Sequence, residues 1–216
     1  MTRLLVVRHA EGKANVGGII GGLSGCTGLT ERGRDQANLL SEHWAATGFH
    51  PAAIVTSPVP RARETAHILA AGFEDLSVVE EHDLCELYLG EADGLSWQEY
   101  DARYGRFNLV AEPSRPFAPG AECWNDATAR TRRWFNVAAQ RFDGETVVAV
   151  THAGFIVASM LELLAVNPST ERGGLEPRFT SITIWRSDGA RWNLECFNDT
   201  AHLAGRTWAS VDRLTS

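Results

Sequence analysis

The stretch Leu4-Leu5-Val6-Val7-Arg8-His9-Ala10-Glu11 runs through four aliphatic residues and stops on an arginine and a histidine. Far downstream, Val147-Val148-Ala149-Val150-Thr151-His152-Ala153-Gly154 repeats the pattern and again ends on a histidine. Runs this short and this apolar suit strands buried on both faces, as in a parallel sheet. A third strand end, Val55-Thr56-Ser57-Pro58-Val59-Pro60-Arg61, delivers a second arginine. If these strands are parallel neighbours, their tips share the sheet edge at which open α/β folds hold ligands. Two histidines and two arginines gathered there make a local cationic pocket, and its natural guest is a phosphate.

Around these runs, strand-like and helix-like segments alternate. Strands are expected at 3–7, 53–56, 77–80, 146–150, 181–186 and 192–196. The last two flank Ser187-Asp188-Gly189-Ala190, an Asp-Gly hairpin signal, so the sheet should finish on an antiparallel edge strand. A first helix is predicted over 31–46, with Thr30 as N-cap and Ala37, Leu40 and Trp44 on one face. A second should start from Ser57 as cap and Pro58 in the first helical position, projecting Arg61 from its first turn. Ser96 and Glu99 are spaced as a capping box for a third. Two more are predicted over 121–140 and 154–164, the latter directly after His152. The expected architecture is a three-layer α/β/α sandwich, mostly parallel, in a single domain over 1–216.

Residues 88–125 show no strand pattern but are rich in aromatics, among them Trp97, Tyr100, Phe117 and Trp124. A span that long without sheet reads as a helical cap inserted over the site. The glycine-rich segment 17–25 lacks the Lys-Ser/Thr ending of a P-loop and reads as a mobile loop.

With 216 residues and 44% hydrophobic content the chain can bury a full core. A formal charge of −7 argues against a general affinity for nucleic acid or anionic membranes, so any positive charge that matters must be local. Cys26, Cys85, Cys123 and Cys196 form no CxxC pair, which fits reduced thiols rather than a disulfide framework or a zinc knuckle. The opening apolar run is too short for a signal-peptide core, and no run approaches the ~20 residues of a membrane span. A soluble cytoplasmic protein is expected.

Arg8-His9-Ala10-Glu11 with Asn15, Leu29-Thr30-Glu31-Arg32-Gly33 with Gln36-Ala37, Ser57-Pro58 through Arg61-Ala62 to Thr65-Ala66, Leu84-Cys85-Glu86 with Gly90 and Gly94, and Val150-Thr151-His152-Ala153-Gly154 follow one another in order. Together they resemble the blocks of the histidine phosphatase superfamily, the phosphoglycerate mutase-like proteins, and the tail Asn198 to His202-Leu203 resembles that family's closing motif. The resemblance implies that His9 is the nucleophile of a phosphohistidine intermediate. It implies that Arg8, Arg61 and His152 bind the phosphoryl group, with Asn15 and Ala153 as further phosphate contacts. It makes Glu86 the general acid and base. No cofactor and no metal is implied, and the partner is a small-molecule phosphate ester. Chemistry agrees: arginines fork onto phosphate oxygens, and a neutral imidazole attacks once its other nitrogen is anchored to an acceptor. The sequence departs from the pattern at Ala10, where glycine is usual, and at Cys26-Thr27-Gly28, where many relatives carry Asp and Pro.

The leading expectation is a metal-independent phosphomonoesterase acting on a small phosphorylated metabolite. A phosphoglycerate-type mutase is the alternative within the fold, disfavoured because Glu86-Leu87-Tyr88-Leu89-Gly90-Glu91 lacks the mutases' basic residues. A binding protein that lost activity is a further alternative, disfavoured because His9, Arg8, Arg61 and His152 are all present. A metallohydrolase using His9, His152 and Glu86 as ligands is disfavoured by the flanking arginines. The tail beyond His202, with Trp208, is a candidate homodimer contact.

Overall fold

Thr2–Arg8 (β1), Ala53–Thr56 (β2), Val78–Glu80 (β3), Thr146–Thr151 (β4), Ile182–Ser187 (β5) and Trp192–Asp199 (β6) form one sheet in the order β3-β2-β4-β1-β5-β6. The computed structural model describes residues 1–166 and 174–205. Strands β3, β2, β4 and β1 run parallel, while β5 is antiparallel to β1 and β6 to β5. The β5–β6 turn is closed by Asp188, whose carboxylate accepts from the N–H groups of Ala190 and Arg191, as the Asp-Gly signal predicts.

Helices α1 (Lys13–Val16), α2 (Glu31–Thr47), α3 (Pro60–Ala70), α4 (Trp97–Tyr104), α5 (Trp124–Arg141) and α6 (Ala153–Leu163) connect the strands. Period-two alternation divides the strand residues between two layers. Leu4, Val6, Val55, Val147 and Ala149 meet Trp134, Phe135 and Ile156 of α5 and α6. Leu5, Val7, Ile54, Val148 and Val150 face the other way, onto Leu40, Trp44 and Leu69 of α2 and α3. Each such aliphatic side chain contributes about 1.5–3 kcal/mol on leaving water. Burial on both faces is why these strands read as unbroken apolar runs, and the expected three-layer sandwich is what forms.

The register matters more for the site than for the core. Arg8 pairs with Thr151 and Thr56 with Val150, so the three parallel strands end level with one another. His9 N–H then donates to Thr151 O at 2.8 Å, and Ser57 N–H to Val150 O at 3.0 Å. A slip of one residue would carry His9 about 3.3 Å away from His152.

Several local expectations need correcting. The second helix does not start on Ser57 and Pro58: Val59 takes the N-cap position and Pro60 the first helical one. Ser57 lies outside the helix, its Oγ meeting His152 as well as the Val59 N–H. The fourth predicted helix starts three residues late, at Trp124, where Asp126 reaches back to the Cys123 N–H. The glycine-rich segment is not a free loop. N–H groups of Gly22, Ser24 and Gly25 converge on the Asp93 carboxylate at 2.7, 2.8 and 2.9 Å, and Ile20 and Gly94 are joined backbone to backbone. Ala10 is not in the left-handed region, and its methyl is enclosed with Leu29 and Ala37, so alanine is accommodated there. Gly28, by contrast, has a φ of +91°, and a β-carbon there would strike the Glu64 carboxylate that accepts from the Leu29 N–H.

Residues 88–125 contain no strand, as expected, and α4 carries the Ser96–Glu99 capping box. The aromatics hold the segment to the body. Tyr100 stacks on Phe117 at 4.5 Å and donates its hydroxyl to the Phe117 carbonyl, in a cluster that includes Ile20, Ala127 and Ala158. Among the described residues no helix is long and apolar enough to cross a membrane. Trp208 and the rest of the proposed dimer contact lie outside the described residues.

Candidate active site

The pocket is assembled by ending strands rather than by a dedicated loop. β1 ends in Arg8 and is followed by His9, β4 is followed by His152, and the turn after β2 leads into α3, whose second residue is Arg61. Pro60 at the first helical position fixes φ for the turn and lacks the N–H that would otherwise go unpaired there. All four side chains are buried: Arg8 4%, His9 2%, Arg61 5% and His152 0% exposed.

Arg61 lies between the two imidazoles. Its Nε–H donates to His9 Nε2 at 2.8 Å, its Nη2 bonds His152 Nδ1 at 3.0 Å, and its Nη1 donates to the Gly21 carbonyl at 2.5 Å. A guanidinium only donates, which fixes both tautomers. His9 must carry its proton on Nδ1, which donates to the Ala10 carbonyl at 2.7 Å. His152 must carry its proton on Nε2, which donates to Ser57 Oγ at 2.8 Å. Ser57 Oγ also accepts from the Val59 N–H at 3.2 Å, while its own hydrogen is directed at Cys85 Sγ. The Nε2 lone pair of His9 is therefore directed at the Arg61 Nε–H.

Burial holds His9 well below its ordinary pKa of 6.5, and the charges of Arg61, His152 and Arg8 push the same way against the opposing Ala10 bond. His152 is lowered well below 6.5 by burial first, then by Arg61, Arg8 and Arg130. Both rings are neutral at pH 7. A neutral imidazole is the form of a histidine that can act as a nucleophile.

Arg8 is close enough to depress both histidines. Its Nη1 donates to the Pro177 carbonyl at 2.6 Å, and its guanidinium lies 4.0 Å over the Phe179 ring, which stands 5.7 Å from the His9 ring. Glu86 arrives from another direction. Its Oε2 accepts from the Gly154 N–H at 3.0 Å, in the first turn of α6, while Oε1 is buried with no hydrogen-bond partner. Ala153 is the first residue of that helix, with its N–H at the positive end of the dipole. Asn15 is exposed, and its Oδ1 accepts from the Gly12 N–H at 3.2 Å, capping α1. A β-carbon on Gly12 would lie 3.0 Å from both Asn15 Oδ1 and Arg61 Cδ, so Asn15 borders the pocket without entering the histidine network.

The structure thus joins His9, Arg61 and His152 directly and sets Arg8, Glu86 and Ala153 around them. Reasoning from sequence missed Ser57, whose position between a strand and a proline favours a helix cap. It also missed Phe179, which follows a stretch with no strand or helix signal, and Arg130, one of several arginines on α5. His9, His152 and Glu86 do not form a metal-ligand set, and among the described residues no such cluster exists. Imidazole nitrogens already facing a guanidinium would present a cation with a cation.

Comparison with known proteins places the chain in a family. Residues 4–200 match the family model of the histidine phosphatase superfamily (branch 1). A metal-independent phosphoserine phosphatase from Arabidopsis thaliana is 27% identical over 212 residues, covering 94% of this chain and 84% of the relative. A 2,3-bisphosphoglycerate-dependent phosphoglycerate mutase from Gloeobacter violaceus is 30% identical, with 78% of each chain covered. The crystal structure of Entamoeba histolytica phosphoserine phosphatase in complex with 3-phosphoglyceric acid superposes with a TM-score of 0.77 at 26% identity, covering 94% of this chain and all of the other. With the motifs in order, the fold matched over nearly its whole length and the two histidines facing one arginine, the chain belongs to the histidine phosphatase superfamily and is a phosphatase by descent and by fold.

Proposed function

We propose that this phosphatase hydrolyses a small phosphate monoester carrying a carboxylate, through a phosphohistidine on His9. The observation that carries the reading is the Arg61 guanidinium in contact with both His9 Nε2 and His152 Nδ1. A phosphoryl group whose oxygen takes over the Arg61 Nε–H would free the His9 Nε2 lone pair and stand in front of it. Arg8, Arg61 and His152 surround its oxygens, and the α6 N-terminus at Ala153 adds a favourable dipole. Asn15 is assigned the outer edge of the phosphate site.

Nε2 of His9 attacks phosphorus as the bond to the ester oxygen breaks. The departing alkoxide takes a proton from the Glu86 carboxyl, leaving phospho-His9 and a carboxylate. Water then attacks phosphorus, Glu86 takes its proton, the P–N bond breaks, and neutral His9 and inorganic phosphate are regenerated. Arginine and fixed hydrogen bonds supply the charge stabilisation throughout.

Phosphoserine and 3-phosphoglycerate, named with the relatives, both carry a carboxylate near the ester, which supports that substrate class. The segment 88–125 is proposed as a cap that narrows the entrance, favouring such metabolites over phosphoproteins. Hydrolysis is favoured over mutase chemistry because the segment after Glu86 is acidic: Glu91 and Asp93 stand there, and Asp93 is spent on the backbone of the glycine-rich segment.

Phosphate release should be measured from phosphoserine, 3-phosphoglycerate, sugar phosphates and a phosphopeptide, with chelator, beside 3-phosphoglycerate isomerisation in the presence of 2,3-bisphosphoglycerate. Release from the carboxylate-bearing esters that resists chelation and vanishes in His9→Ala is the expected result. Isomerisation faster than hydrolysis, or preference for the phosphopeptide, would overturn the reading.

A further inference from the structure

Arg130 lies on α5, outside the phosphate site, yet all five of its N–H donors are in use. Nε and Nη2 fork onto the two carboxylate oxygens of Glu122 at 2.9 and 2.8 Å. Nη1 donates to the carbonyls of Asp83 at 2.7 Å and Cys85 at 3.0 Å, and Nη2 also donates to the carbonyl of Glu86 at 3.1 Å. The intervening carbonyl, Leu84 O, accepts from Thr151 Oγ1 at 2.6 Å, on the residue before His152. Four consecutive carbonyls of a segment outside the strands and α-helices are therefore held by two side chains, one from α5 and one from β4. Glu122 extends the grip, accepting from the Tyr88 N–H at 3.0 Å while its own N–H donates to the Tyr88 carbonyl.

The Arg130 side chain is 4% exposed and that of Glu122 14%, and the Tyr88 ring packs 4.8 Å from the guanidinium. A buried, bidentate pair of this kind is costly to assemble unless its remaining donors are satisfied. Here the remaining donors are satisfied by the backbone that carries Glu86.

We infer that Arg130, locked by Glu122, is a positioning residue that sets where the Glu86 carboxyl meets the ester oxygen, and so governs proton transfer without touching the substrate. This rests on the reading of Glu86 as general acid. Lysine cannot replace the guanidinium, because one ammonium has three donors and no planar fork.

The test separates proton transfer from phosphate binding by following leaving-group release in the first turnover. Phosphoserine needs a proton on its departing alkoxide, whereas 4-nitrophenyl phosphate leaves as a stable phenolate. In Arg130→Lys and in Glu122→Gln, first-turnover release from phosphoserine should fall about 10- to 100-fold, the scale set by roughly 1 Å of misplacement. Release of 4-nitrophenolate should stay within about 3-fold of the native rate and appear as a burst, because the later attack by water also uses Glu86. Glu122→Gln leaves the guanidinium in place and carries the test if Arg130→Lys does not fold. Equal slowing of both esters, or no slowing of either, overturns the role of Arg130. Glu86→Gln, run alongside, should show the same split more strongly. If Glu86→Gln shows the split and the Arg130 and Glu122 variants do not, only the positioning role falls. If Glu86→Gln shows none, the acid assignment fails and the inference fails with it.

Discussion

On one side of the pocket, His9 and His152 follow directly from two paired strands, and ladder register together with the His9 N–H bond to Thr151 O places them. On the other side, Glu86 stands on a loop whose carbonyls are gathered by Arg130 and Thr151, from a helix and a strand 44 and 65 residues further along the chain. The first arrangement draws its precision from the sheet, whose core must be broken before the histidines part. The second draws it from side chains, any one of which can be altered while the sheet stands. Attack at phosphorus should therefore be robust to changes in the loop, and proton transfer should not.

The comparison can be broken most sharply at His9, the proposed nucleophile. His9→Ala should lower turnover by at least ~10⁴-fold with every ester, good or poor leaving group alike, and abolish acid-labile phosphate on the protein. A residual rate that distinguishes between esters would mean that another group attacks. Arg61→Lys keeps a charge but loses the fork joining the two histidines, and kcat should fall about 10²- to 10³-fold independently of leaving group.

Gly154→Ala probes the other side. A β-carbon at Gly154 would collide with the Glu86 carboxylate, so that carboxylate, the proposed general acid, should be expelled from the α6 N-terminus. Turnover of phosphoserine should drop about 10²-fold while phosphoenzyme still forms from 4-nitrophenyl phosphate. Ser57→Ala removes the acceptor of the His152 proton. A fall of about tenfold in kcat is expected, with about 1–3 kcal/mol lost from unfolding free energy as buried donors go unpaired, read by kinetics and by denaturant titration.

The smallest effect concerns pH. His9 and His152 are held well below their ordinary pKa, chiefly by burial, and His202 is lowered to about 4 by burial and by His43. The unfolded chain takes up protons as pH falls through about 6.5 while the folded chain does not, so stability is full above that value and declines below it. Tm should fall between about pH 7 and pH 5, and His202→Gln should flatten part of that slope. A Tm constant over the range would contradict neutral buried rings.

Legibility followed the same division. Strand tips could be read because an apolar run ending in a charged residue or a histidine is a local pattern; Arg8, His9 and His152 sit at such ends, and Arg61 follows shortly after a third. Ser57 was misread because a serine before two prolines satisfies the local rules for a cap, whereas its partner is 95 residues away. The glycine-rich segment was misread as mobile because nothing local announces that Asp93, some 70 residues on, collects its N–H groups.

Sequence alone determined the layers, the parallel strands and the identity of the groups at their ends, because burial on two faces and period-two alternation are written residue by residue. Tertiary structure alone decided the tautomers of His9 and His152, the half-buried setting of Glu86 and the use made of Arg130. Those depend on which donor meets which acceptor across distant parts of the chain, and hydrogen-bond geometry has no signature in the order of residues.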